Sequence, residues 1–141
     1  MNFLKSAKSA VGSAVGVAVG HVSSKHSKAL HAAAEIGDCD ALAVELGKKH
    51  ANVDVLSDSE HKWSPLMAAS RNGHLRAVKL LVAHRANVDK ENAHRWTSLF
   101  FAAFNGHADV VEFLIDCGAD VNRCCDEMMK ETALVGAAKN G

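Results

Sequence analysis

The chain has 141 residues, 48% of them hydrophobic, a size and composition suited to one globular domain with a buried core. Its 16 basic and 16 acidic side chains cancel, which leaves no basic field for gripping phosphates and argues against a nucleic-acid partner. No apolar run reaches the roughly 20 residues of a membrane-spanning helix, and the four cysteines (Cys39, Cys117, Cys124 and Cys125) show neither a C-x-x-C pair nor the spacing of a disulfide scaffold, as expected for reduced thiols in a cytoplasmic protein.

Residues 1–25 form a segment of their own. They hold lysine, serine, glycine and valine but no acid and no proline. Phe3, Leu4, Ala7, Val11, Val15, Ala18 and Val22 share one face of a helical projection, while Val15, Val17 and Val19 also alternate as a strand would. Gly12, Gly16 and Gly20 each cost a helix interior about 1 kcal/mol, so an isolated helix here is marginal. The readings that remain open are a disordered tail docked loosely on the unit that follows, a weak membrane-surface contact through residues 1–22, and a cleaved signal or transit peptide.

From residue 26 onward the chain repeats. A first copy, about 26–58, carries Leu30-His31-Ala32-Ala33-Ala34-Glu35-Ile36-Gly37-Asp38 and ends at Ala51-Asn52-Val53-Asp54. A second, about 59–91, starts at Ser64-Pro65-Leu66-Met67-Ala68-Ala69, passes through Asn72-Gly73-His74 and ends at Ala86-Asn87-Val88-Asp89. A third, about 92–126, lies over it at an offset of 33: Thr97-Ser98-Leu99-Phe100-Phe101-Ala102, Asn105-Gly106-His107 and Ala119-Asp120-Val121-Asn122. A partial fourth copy, 127–141, opens with Thr132-Ala133-Leu134. The first copy holds one extra residue between Gly37 and Ala51 and has Lys28-Ala29 where the next has Ser-Pro, as an atypical terminal unit would.

Local chemistry agrees with a helix pair in each copy. Ser64 and Thr97 can cap the first helix through their hydroxyls, and Pro65 suits the first helical position, where no amide hydrogen is needed. Ala68, Ala69, Ala102 and Ala103 let neighbouring helices approach closely, and Gly73 and Gly106 can end that helix in a left-handed turn.

Period and content resemble the ankyrin-repeat family, whose unit opens T-P-L-H, carries G-H between its helices and closes G-A-x-V-N. The resemblance covers about residues 26–141. It implies an all-α solenoid of helix-turn-helix units joined by short hairpin-like loops, and a protein-binding module or scaffold that works through its concave surface. The departures from the pattern are His50 and Arg85, where only Gly118 keeps the expected glycine, and Lys62, Arg95 and Lys130 in the hairpins. At each of these a non-glycine residue would hold a left-handed conformation at a cost on the order of 1 kcal/mol.

The search for chemistry is brief. There is no phosphate-cradling loop, no G-x-S-x-G elbow and no H-E-x-x-H helix, so no enzyme, cofactor or catalytic residue is expected. The nine histidines are scattered singly along the sequence, which gives no metal-ligand spacing. His31, His74 and His107 fall at structural posts of the repeat, and Asp38 and Asp40 at a helix start. The candidate partner-binding residues are Trp63 and Trp96, which share one variable position, and Arg71 and Phe104, which share another. These are residue types that dominate interface energetics, although the tryptophans could equally pack across neighbouring hairpins. Few intramolecular neighbours are expected for them. The expectation is therefore a monomer that binds a protein of unspecified identity. The alternatives are a regulatory or targeting fragment of a longer multidomain protein such as a kinase, or a membrane-tethered adaptor.

Overall fold

The computed structural model describes residues 25–123 together with 135, 137 and 138. The N-terminal segment, apart from Lys25, and most of the fourth copy with its hairpin residue Lys130 lie outside the described residues. Six helices lie within 25–123: α1 over residues 25–36, α2 Cys39–Leu46, α3 Pro65–Arg71, α4 Leu75–Ala83, α5 Ser98–Phe104 and α6 Ala108–Asp116. Among the described residues there is no strand, and none of the helices is long and apolar enough to cross a membrane.

Each pair begins where its sequence signals say it should. Ser64 accepts a hydrogen bond from the Met67 amide at 3.3 Å, and Pro65 follows as the first helical residue of α3. Thr97 does the same for α5 through the Phe100 amide, and the Asp38 carboxylate receives the amides of Asp40 and Ala41 at the start of α2. Gly37, Gly73 and Gly106 stand between paired helices with φ of 76°, 74° and 77°. In each case the amide after the glycine returns to the last turn of the helix: Asp38 N to Ala33 O at 2.9 Å, His74 N to Ala69 O at 3.0 Å and His107 N to Ala102 O at 2.9 Å.

The pairs stack in two layers, α3 against α5 in one, α2, α4 and α6 in succession in the other. Leu42, Leu66, Val78, Leu81, Leu99, Val110 and Leu114 are completely or almost completely removed from solvent. Ala33, Ala34, Ala69, Ala77, Ala102 and Ala103, also buried, keep the backbones close. A polar ladder runs along the opposite edge. Asn87 N donates to Asp54 Oδ1 and Asp120 N to Asp89 Oδ1, each at 2.9 Å, so the first and second units each accept an amide from the unit after.

Histidines stitch the units at the turns. His74 Nε2 reaches the Glu35 carbonyl and His107 Nε2 the Arg71 carbonyl, both at 2.9 Å, and Asn72 Nδ2 also reaches Glu35 O. The glycines make room for them: a Cβ on Gly73 would stand 2.5 Å from the His107 ring, and one on Gly37 2.7 Å from that of His74. His31, expected as a structural post, places Nε2 2.7 Å from the Trp63 carbonyl and so ties the first unit to the second.

Candidate interaction surface

The loops between pairs project as fingers, residues 47–63 ahead of α3 and 84–96 ahead of α5, and their tips lie beside each other. Four of the anticipated departures from glycine are real left-handed residues: His50 (φ 70°), Lys62 (52°), Arg85 (66°) and Arg95 (61°). Arg85 sits in the same hydrogen-bonded turn as Gly118. Arg85 N pairs with Val82 O and Ala86 N with Leu81 O, just as Gly118 N pairs with Ile115 O and Ala119 N with Leu114 O.

The two fingers close differently. In the second, buried Asn92 is the organiser: its Oδ1 accepts the amides of His94 and Trp96, each at 2.9 Å, while its own amide donates to Trp96 O. In the first, Ser57 plays that part from two residues further back. Its hydroxyl accepts the Trp63 amide and its amide donates to Trp63 O at 2.7 Å. The 33-residue alignment would have put Ser59 there, so the first finger is the wider one.

Trp63 and Trp96 hang from the inner ends of these fingers, half-buried. Trp63 packs on Phe101 of the following unit, with ring centroids 5.1 Å apart, and carries the Arg71 guanidinium 4.7 Å above its ring. Trp96 stacks on Phe100 and meets Phe101 edge-on, each at 5.6 Å. Phe100 then stacks on Phe104, 38% exposed at the end of α5. The expectation of few intramolecular neighbours is thus corrected. The tryptophans belong to a continuous aromatic array built on the buried Phe100 and Phe101, the latter standing on α5 where α3 carries Ala68. The indole Nε1 of Trp63 is buried without an acceptor among the described residues.

All four anticipated residues, Trp63, Arg71, Trp96 and Phe104, therefore contribute to one face. Sequence reasoning missed Phe100 and Phe101, and it also missed two imidazoles. His61 and His94 stand two residues before the tryptophans in consecutive units, and the repeat brings them together with His61 Nδ1 3.0 Å from His94 Nε2. Histidines that look scattered along the chain become neighbours when their separation equals the period. That signal was present in the sequence.

Charge at the far edge is organised separately. Glu45 on α2 is held by Lys48 and by His26 Nδ1 at 3.1 Å, and its carboxyl lies below the ordinary value, chiefly through the hydrogen bond from Lys48. On the second finger Glu91 pairs with Arg123 at 2.6 Å and faces Arg95 at 3.8 Å.

No curated protein matches this chain. A family model described as ankyrin repeats (3 copies) matches residues 8–92 and 30–125, which together span most of the sequence. Ankyrin repeats are in general protein-interaction modules, typically without catalytic activity. With its helix pairs stacked in register, its histidine-bridged turns and its paired fingers, the chain belongs to the ankyrin-repeat family.

Proposed function

We propose that this protein is a non-catalytic binding module that engages a protein partner through the face formed by Trp63, Arg71, Trp96 and Phe104. The observation that carries the reading is the arrangement of Arg71 and Phe104 beside the tryptophans. Arg71 is exposed, lies on an indole, and is paired with no carboxylate among the described residues. Phe104 adds exposed aromatic surface from the corresponding place in the next unit. Aromatic anchors with an adjoining arginine are the composition from which interface hot spots are built. Cys39 and Cys117 are free thiols, in keeping with work in the cytoplasm.

The test uses residues whose loss leaves the core intact. In a pull-down followed by affinity measurement on the purified partner, Arg71→Ala and Phe104→Ala should each weaken binding by about 1–2 kcal/mol or more. Their thermal midpoints should stay near that of the wild type. Unchanged affinity in both would move the interaction to another face.

A further inference from the structure

We propose that His61 and His94 form a bidentate site for a divalent transition-metal ion that takes imidazole ligands, such as Ni2+ or Cu2+. The site follows from the finger geometry and does not depend on the protein-binding reading. Its ligands come from equivalent positions 33 residues apart, so the same stacking that builds the solenoid sets their separation. The fingers that carry them are tied down: Asn92 fixes the His94 amide, and Ala93 N contacts His61 O at 3.4 Å.

Imidazole is a strong ligand for this class of ion, and two imidazoles on a fixed backbone form a chelate without losing much further freedom. The separation suits a shared ion. With metal–nitrogen bonds of about 2.0–2.1 Å, two cis ligands at a right angle stand about 2.9 Å apart, and two ligands of a tetrahedron about 3.3 Å. The nitrogens here are 3.0 Å apart, with ring centroids at 5.1 Å and planes inclined at 50°. That spacing is also the length of an N–H···N hydrogen bond, and it brings both nitrogens within reach of a single ion. Without metal, the same two nitrogens can share a single proton between them.

No group of three or more metal-ligating side chains exists among the described residues, so the remaining coordination positions fall to water or to an incoming ligand. His61 is exposed and His94 half-buried, which leaves the pair open to exchange with solvent. The neighbouring Lys62 and Arg95 oppose a cation. The Glu91 carboxylate beside Arg95 offsets part of that charge.

Trp63 and Trp96, the two tryptophans of the sequence, report on the site directly. The His61 ring lies 6.2 Å from Trp63 and the His94 ring 5.1 Å from Trp96. Titrating Ni2+ into the intact chain at neutral pH should give saturable quenching with one ion bound, confirmed by calorimetry. His61→Ala and His94→Ala should each weaken it by about tenfold or more. His84→Ala, exposed at the end of α4, should titrate like the wild type. If a substitution perturbs the fold, the histidine side-chain nitrogen resonances of the wild-type chain decide the matter in a Cu2+ titration, since paramagnetic broadening by Cu2+ should begin at His61 and His94. The proposal is overturned if quenching does not saturate, if both alanine variants titrate like the wild type, or if broadening begins at other histidines.

Discussion

Arg85 and Gly73 hold nearly the same left-handed conformation, yet substitution should affect them in opposite directions. Arg85 is exposed, so the backbone penalty of a Cβ is its main feature, and Arg85→Gly should raise stability in denaturant unfolding by about 0.5–1 kcal/mol. Gly73→Ala combines that penalty with a Cβ 2.5 Å from the His107 ring. Relief requires the imidazole to move and to surrender its bond to Arg71 O, so the loss should exceed about 2 kcal/mol. Trp63 and Trp96 are a third case at this scale. Their contacts with Phe100 and Phe101 make each a structural residue as well as a surface one, and truncation to alanine should cost about 2–3 kcal/mol of stability. A measured loss below 1 kcal/mol would show that the aromatic array contributes little to folding.

At the scale of elements, α2 carries near its C-terminal end a carboxylate, Glu45, that Lys48 and His26 compensate. Lys48 and His26 hold the Glu45 carboxyl below its ordinary value, so the folded state favours the ionised form. A depressed folded value means that the contribution is present above the unfolded carboxyl's value, about 4.3, and disappears as pH falls through the folded one. The stability difference between wild type and Glu45→Gln, read from denaturant midpoints, should be largest near neutrality and shrink below about pH 4. A difference independent of pH would remove the ionised carboxylate from the account.

Element beginnings were readable because they depend on short-range chemistry: Ser64, Thr97 and Asp38 cap as their side chains require. Left-handed His50, Lys62, Arg85 and Arg95 were readable from their place in the repeat. The wider first finger was not, because Ser57 and Ser59 offer the same hydroxyl two residues apart and only the closed loop selects Ser57.

For the whole molecule, the long-range contacts were legible in proportion to how closely they follow the period. His74 and His107 bridge units through equivalent bonds, and their structural role could be anticipated from register alone. The wedge of Phe101 under Trp63 could not, because it depends on a large residue replacing Ala68 in one unit and on where the neighbouring indole then settles. His107→Ala should accordingly do more than weaken one bond. It removes the link from α5–α6 back to Arg71 O, and should loosen the coupling between the last two described units. Hydrogen exchange would show this as earlier opening of α5 and α6 than of α3 and α4, whereas uniform acceleration would mean that coupling had survived.

The ladder of Asp54 to Asn87 and Asp89 to Asp120 offers the same carboxylate to the same kind of amide at each step, and the His74 and His107 bridges recur in the same sense. In this set of bonds the second unit consequently donates on one side and accepts on the other. A genetic duplication of residues 59–91 would join head to tail with all its acceptors matched, whereas inserting half that length would strand them. The lengths open to this lineage are therefore quantised, and its surface can be enlarged by copying a cassette with no redesign of the seam.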